Sequence, residues 1–424
     1  MADLPLAFAT LSVHADASDI LDIAPPIHVS TTYRYADDWT DRTALKNGWI
    51  SAAATPKPAV PHPRNPALPE TELCYSRMHT TTRDRLETVL GALDGGSWCR
   101  AVTYASGLAA VTAALAFCKP KRIIMSRQGY HGSHAAVDVY ARGRESLVVH
   151  IEDGMPVLED GDLVWLESPR NPRGEISDVR AVAASRPKSG KVYVIVDSTF
   201  APPPLQKCLE VGADIVMHSS TKYLAGHSDA LGGVLVAKDP AVAEGLLKDR
   251  IALGGVLGNM EAWLLLRSLR SLNVRVKQQS ATATAISAWL NSRIAGKDLT
   301  DPSLEIIKRV WHGSIEGNPG HEVAVREGWG WSGTISLEFT SLHHARLICD
   351  RLRLFTHATS LGGCESLIEW RVSVDSSMSP RLVRISFGLE DPEDLKADLR
   401  RGFLEVKKEV DALFAEGWVE PKEE

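Results

Sequence analysis

The chain has no hydrophobic run approaching the ~20 consecutive apolar residues that a membrane-spanning helix requires. Cysteine is sparse: six residues, at 74, 99, 118, 208, 349 and 364. None forms a CxxC pair, so neither a disulfide framework nor a zinc knuckle is indicated, and a reducing, cytoplasmic setting is expected. Most of these thiols read as small buried hydrophobes. Basic blocks are missing too. Lys and Arg (47) are outnumbered by Asp and Glu (53), with the signs interleaved, which argues against nucleic acid or an anionic membrane as a partner. The 14 histidines show no HExxH-type spacing, and no metal is assigned. The opening MADLPLAFATLSVHAD lacks a basic n-region and an apolar h-region, so a secretory leader is not expected. No GxGxxG follows the first strand-like run, which speaks against a plain nucleotide-binding Rossmann protein. There is no internal repeat.

What is present is ordinary in amount and ordered in pattern. At 424 residues, 44% hydrophobic and 24% charged, the chain is long enough for two core-bearing domains. Residues 1–73 read as an N-terminal arm. It holds the Pro-braced segment IAPPIHVSTTYRY and a Pro-dense stretch, PKPAVPHPRNPALPE, that can be neither helix nor central strand. Residues 74–280 alternate apolar runs with helical patterns. TTTRDRLETVLGALDGG is a capped helix, and LAAVTAALAFC and GSHAAVDVYARG are helices between the strands RAVTY, KRIIMS and DLVWLESP. KVYVIVDS and ADIVMHSS follow as strands. This alternation predicts an α/β domain with a large, mostly parallel sheet covered on both faces. NMEAWLLLRSLRSLNVRVKQQSATATAISAWLNSRI reads as a long, broken helix leading into residues 281–424. That part is a smaller α+β domain with strands GTISLEFTS, LRLFTHATS and RLVRISFGLE.

The chemistry gathers in Lys191–Val236, where two strand runs end on reactive groups. Ligands of such sheets sit at the carboxyl ends of the strands. KVYVIV ends on Asp197, a carboxylate that is costly there unless paired. ADIVMH runs into Ser219-Ser220-Thr221-Lys222. A lone lysine after a strand is usually a surface lysine. Flanked by Ser219 and Thr221, which suit a phosphate, it suits a Schiff base with an aldehyde cofactor. Asp197 would then hold a protonated pyridine nitrogen and keep the ring an electron sink. Thr199 could pack against that ring or bond its substituents. Ser106-Gly107-Leu108 opens a helix whose first N–H groups favour phosphate. Tyr130 could stack on a flat ring, and Asn171 could bond a phenolic oxygen. Tyr75 and Arg77 stand at the very start of the first domain, and arginine pairs bidentately with phosphate. Arg384, in a strand among apolar neighbours, needs an anion, for which a substrate α-carboxylate or a structural ion pair would serve. The turn Ser360-Leu361-Gly362-Gly363 could add donors to the same carboxylate.

These motifs, in this order, resemble the cystathionine γ-synthase/γ-lyase family, the Cys/Met metabolism enzymes of PLP (pyridoxal 5′-phosphate) fold type I. APPIHVSTTY, YSR with RDRLE, YASGLAA, ESPRNP, VDSTFAPP, HSSTKYLAGHSDALGG, SLGGCES and RISFGLED carry the resemblance along nearly the whole chain. It implies that Lys222 forms the Schiff base and that Asp197 partners the pyridine nitrogen. Gly107, Leu108, Ser219 and Thr221 hold the phosphate, and Tyr75 and Arg77 reach the phosphate of a neighbouring subunit. Tyr130 stacks on the ring, Asn171 bonds the phenolic oxygen, and Ser360 and Arg384 bind the amino acid carboxylate; Tyr130 or a nearby acid is expected to aid the leaving group. A homotetramer built from active dimers is implied as well.

Three stretches leave the family pattern. Met78-His79-Thr80-Thr81-Thr82 stands for SGNPT, and Tyr130-His131-Gly132-Ser133 for YGGT. Trp370-Arg371-Val372 stands for HPA, and Thr359 occupies the place before the SLGG serine where γ-enzymes carry Glu. The departures suggest a divergent, fungal branch. The expected reaction is γ-replacement or γ-elimination on a homoserine- or cysteine-derived amino acid. Alternatives are γ-substitution of an O-acyl-homoserine by a non-thiol nucleophile, and β-elimination. A cofactor-binding protein without turnover is opposed by the intact set of Lys222, Asp197, Tyr130 and Arg384.

Overall fold

YVIVD and IVMH are buried from end to end, as strands flanked by others on both sides must be. They form the middle of the large sheet in the computed structural model, which describes residues 6–16, 23–33, 75–95, 99–144 and 147–419. The first part of the chain runs α1 (Phe8–His14), α2 (Thr81–Gly95), β1 (Arg100–Tyr104), α3 (Gly107–Cys118), β2 (Arg122–Met125), α4 (His131–Ala141), β3 (Val148–His150), β4 (Asp162–Glu167), α5 (Val179–Ala184), β5 (Tyr193–Asp197), β6 (Ile215–His218) and β7 (Gly233–Ala237). There follow α6 (Pro240–Leu253), α7 (Asn259–Leu269) and α8 (Leu272–Leu290). The last part holds β8 (Ile307–Trp311), α9 (His321–Glu327), β9 (Thr334–Phe339), α10 (Leu342–Arg351), β10 (Thr356–His357), β11 (Leu367–Trp370), β12 (Leu382–Ser386) and α11 (Pro392–Ala415).

The large sheet has the order β1-β7-β6-β5-β4-β2-β3. Strands β6, β5, β4, β2 and β3 pair in parallel, while β7 runs against both of its neighbours. Alternate residues enter opposite cores. Val194, Val196, Val216 and Val234 face Leu86, Leu90, Leu93 and Leu265 of α2 and α7. Tyr193, Ile195, Ile215 and Leu235 face Ala110, Ala114, Val137 and Leu246 of α3, α4 and α6. The sheet is thus covered on both faces, as the sequence pattern predicts. Its carboxyl edge is left to carry chemistry.

The smaller sheet has the order β10-β11-β12-β9-β8 and its own core with α10 and α11. The expected long helix is broken at Arg270–Ser271. Its second piece, α8, gives Leu272 and Val276 to one core and Ala283, Ile286 and Leu290 to the other. The division placed at 280/281 from sequence falls inside this helix. The run LRLFTHATS was expected to be a full strand, but forms only the exposed edge strand β10. In the arm, α1 rests on α2 and α8, with Asp16 bound to Arg85 at 2.7 Å. Trp263 Nε1 donates to the Pro25 carbonyl at 2.7 Å. The Pro-dense stretch lies outside the described residues.

Candidate active site

β5 and β6 lie side by side, so Asp197 and the turn carrying Lys222 emerge at one edge of the sheet. A chain of hydrogen bonds joins the two strand ends. The Ser219 N–H donates to Thr199 Oγ1 at 2.9 Å, and the Thr199 hydroxyl donates to Asp197 Oδ1 at 2.5 Å. The Thr199 N–H adds a second bond to that oxygen at 3.0 Å. Asp197 is only 5% exposed. Burial raises its proton affinity, against the pull of the Thr199 donors and of His218. A buried carboxylate of this kind suits a cationic ring N–H as its partner.

Helix α3 starts beside the same turn. Ser106 is its N-cap and accepts from the Ala109 N–H at 3.1 Å. Gly107 abuts Ser219: a Cβ there would sit 3.2 Å from Ser219 Cβ and 3.3 Å from its Oγ. Glycine therefore lets the first N–H groups of α3 and the Ser219 hydroxyl share one small space, a good cradle for an anion. Leu108 is partly exposed there. The Thr221 hydroxyl exchanges hydrogen bonds with the Gly232 backbone, at 3.1 and 3.2 Å.

Lys222 is the only amine in this cluster. Its Nζ donates to Ser360 Oγ at 2.8 Å, across 138 residues of sequence. Burial, and secondarily the Arg384 cation, lower its pKa to about 8, with Glu369 opposing. Ser360 has φ +93, a backbone region that a non-glycine residue occupies at a cost of about 1–3 kcal/mol. Contacts on both its polar groups hold it there, because Arg384 Nη2 donates to the Ser360 carbonyl at 2.9 Å. Arg384 Nη1 reaches Asn171 Oδ1 at 3.2 Å. Lys222, Ser360, Arg384 and Asn171 thus form one continuous network, drawn from the turn after β6, the loop between β10 and β11, β12 and the loop after β4.

Tyr130 caps α4 at its N-terminus, 38% exposed, with its ring 4.9 Å from that of His131. The ring leans over Gly132, where an added Cβ would lie 2.4 Å from Tyr130 Cε1. Tyr75 pairs with Thr32 in an isolated bridge. Arg77 donates to the Ile251 carbonyl at 2.9 Å and lies 5.7 Å from the Tyr75 ring centre. Both are exposed and apart from the network around Lys222 in the contacts they make. Thr359 is exposed beside Ser360.

Several further residues shape the site and escape sequence reasoning. Glu167, at the end of β4, is opposite Asp197 in register. It accepts from the Tyr130 N–H and the Asn171 N–H, both at 2.7 Å, and so orients two candidate residues at once. Burial, and then the neighbouring Asp197, push its pKa up to about 8. The signal was available, since DLVWLE ends on an acid just as KVYVIVD does. Asp94 binds His218 Nε2 at 3.1 Å, both fully enclosed. Although burial opposes it, Asp94, and then Asp197, raise the proton affinity of His218 above the ordinary imidazole value. Glu369 on β11 faces Arg384 across the strands, 2.9 Å from its Nη2, and also binds Arg371. Burial brings the Arg384 pKa to about 10, Glu369 working against that and Arg371 with it.

The variant stretches have definite places. Met78, His79, Thr80 and Thr82 are buried, and Arg83 Nη2 donates to the Ser76 and Met78 carbonyls at 2.8 and 2.9 Å. Asp375 follows one turn after Arg371, its N–H donating to the Arg371 carbonyl at 3.1 Å. Burial raises its proton affinity, but Ser377, Arg371 and His131 together bring the carboxyl below its usual range.

Comparison with known proteins settles the family. The Cys/Met metabolism PLP-dependent enzyme model matches residues 9–404. The chain belongs to that family. Cystathionine gamma-synthase of Escherichia coli (strain K12) is 33% identical over 423 residues, covering 94% of this chain and 98% of that protein. Cystathionine beta-lyase MetC of Bacillus subtilis (strain 168) is 31% identical over 350 residues, 78% and 86% of the two chains. Among solved structures, cystathionine gamma synthase from Xanthomonas oryzae pv. oryzae, in complex with aminoacrylate and cysteine, superposes with a TM-score of 0.79. It has 28% identity and covers 96% of this chain and 100% of that one. As a family member the chain is a PLP-dependent enzyme of fold type I. Its own residues fit the cofactor: a buried amine, a buried acid on the adjacent strand end, and an anion cradle where α3 begins. Among the described residues no cluster of His, Cys, Asp and Glu is arranged for a metal, and no helix is long and apolar enough to cross a membrane.

Proposed function

We propose that this enzyme catalyses γ-replacement or γ-elimination on a homoserine- or cysteine-derived amino acid. One observation carries the reading: the Lys222 amine, with its lowered proton affinity, is bonded to Ser360, which is in turn bonded to Arg384. An amino acid whose carboxylate pairs with Arg384 has its α-carbon near that amine, and nearby reacting groups are the main resource of such a site. PLP, held by the Lys222 amine, supplies an electron sink for carbanion chemistry. The chain's own residues do the rest. Lys222, once released from the cofactor by the substrate's own amino group, would take the α-proton and could return it to another carbon. Asp197 keeps the ring nitrogen protonated. Ser219, Gly107, Leu108 and Thr221 anchor the phosphate, with Tyr75 and Arg77 supplying donors to a neighbouring subunit's site. Tyr130, aimed by Glu167, stacks on the ring and assists the leaving group, and Asn171 bonds the phenolic oxygen. In this reading the protein is a cytoplasmic homotetramer of two active dimers.

A second reading is favoured by Thr359. A hydroxyl stands exposed beside Ser360 where γ-enzymes of the family carry glutamate, so the site lacks the acid that would meet a distal ammonium. This suits γ-substitution of an O-acyl-homoserine by a non-thiol, carbon nucleophile, in a divergent branch of fungal type. One experiment separates the readings. The enzyme is given O-acetylhomoserine, O-succinylhomoserine, cystathionine and cysteine, each O-acylhomoserine also together with a 1,3-dicarbonyl compound as carbon nucleophile, and products are identified by mass. 2-Oxobutanoate or cystathionine supports the first reading, and a γ-substituted amino acid from a carbon nucleophile supports the second. Pyruvate alone rejects both in favour of β-elimination.

A further inference from the structure

Arg384 is already engaged by an anion of the protein itself. Its Nη2 already faces Glu369 Oε2 at 2.9 Å, and the same carboxylate oxygen binds Arg371 Nη1. All three groups are buried, with side chains 4–5% exposed. The triad is incomplete in itself: Glu369 Oε1 and Arg371 Nε are buried without a hydrogen-bond partner. Unpaired buried polar atoms of this sort mark a place where another group completes the arrangement. The cluster holds two guanidinium groups and one carboxylate, so it has one positive charge in excess, and Lys222 adds to it when protonated. Asp375, the next acid toward Arg371, is engaged by Ser377 through two bonds to Oδ1, at 2.6 and 3.0 Å.

We propose that Glu369 is a resident anion that occupies Arg384 in the resting enzyme, and that Arg371 is the positioning residue that takes Glu369 over when a substrate carboxylate arrives. The strength of amino acid binding is then set by how firmly Arg371 holds Glu369. This rests on the reading of Arg384 as the carboxylate anchor, and it identifies two residues that tune that anchor. Neither residue touches the reacting atoms. Both act through Arg384.

The two substitutions have opposite signs. Glu369→Gln removes the competitor and leaves two uncompensated guanidinium groups. Arg371→Met leaves Glu369 nothing to hold but Arg384. The holoenzyme is titrated with glycine, followed by its visible band, and KM and kcat are measured with O-acetylhomoserine. We expect Glu369→Gln to bind glycine about three- to tenfold more tightly and Arg371→Met about three- to tenfold more weakly, the scale of the net contribution of one hydrogen bond. The substrate effect falls on KM rather than kcat, as for uniform binding. The double variant, which leaves no unpaired buried carboxylate to compromise folding, binds like Glu369→Gln, because Arg371 acts only through Glu369. Shifts of the same sign in the two single variants, or a double variant as weak as Arg371→Met, overturn the proposal while the functional reading stands. A wild-type protein that takes up PLP without a visible band of its own overturns both.

Discussion

The ends of β5 and β6 and the three variant stretches are built differently. At the strand ends, function follows from backbone geometry. Asp197, Thr199 and Ser219 are joined through hydrogen bonds anchored on two neighbouring strands, and the start of α3 abuts them at Gly107. Little there can move without disturbing the central sheet. The variant stretches lean more on side chains: residues 78–80, just before α2, are tied by Arg83 and Arg371 is tied by Glu369, while His131 is the first residue of α4. Side chains can be exchanged without refolding the sheet. On the proposed reading, cofactor handling belongs to the first region and choice of substrate to the second.

Substitutions in the two regions should therefore fail in different ways. The largest effect belongs to the strand ends. Asp197→Ala should lower kcat by about 10²–10³-fold, the scale seen when one preorganised electrostatic partner is removed. A smaller loss measured in steady state would take Asp197 out of the site. Next is Arg384→Ala, which should raise KM for the amino acid by about 10- to 100-fold, since a charge-assisted bidentate anchor is lost. An unaltered KM would remove Arg384 from the binding site.

The pH dependence of cofactor loading is a milder test. With a Lys222 pKa of about 8, the attacking amine is protonated below that value and neutral above it. The rate at which cofactor-free protein takes up PLP should rise about tenfold per pH unit below 8 and level off above it, because only the neutral amine attacks. A rise that continued toward pH 10.5 would mean that burial and Arg384 do not act on Lys222 as described. The smallest effect is expected in the second region. Thr359→Glu should shift preference toward cystathionine over O-acylhomoserines by about three- to fivefold, the scale of a partly exposed ion pair, and leave the visible spectrum in place. Competition between the two substrates measures it directly.

How much of this was legible before folding depended on the kind of signal. Continuous apolar runs ended by a reactive residue, such as VYVIVD and IVMH, were read correctly, because central strands are buried on both faces. GVLVA was not distinguished as an antiparallel partner, since pairing direction leaves no mark on an apolar run. β8 was passed over because Lys308 and Arg309 are exposed in its middle and a bulge interrupts its register. β11 was hidden by Glu369, an acid that looks foreign to a strand until its partner across the sheet is seen to be Arg384. In the site, residue types at strand ends pointed to Lys222 and Asp197. The contact of Lys222 with Ser360 could not come from spacing, because the smaller sheet brings together residues 138 apart. Glu167 was missed although it obeys the same end-of-strand logic as Asp197.

The account depends most on the identity of Lys222 as the residue that holds the cofactor. The direct test is the visible absorption of wild-type protein and of Lys222→Ala, each reconstituted with PLP and freed of excess by gel filtration. A yellow wild-type protein and a Lys222→Ala variant without the protein-bound band are the predicted result. The same band retained in Lys222→Ala would contradict it.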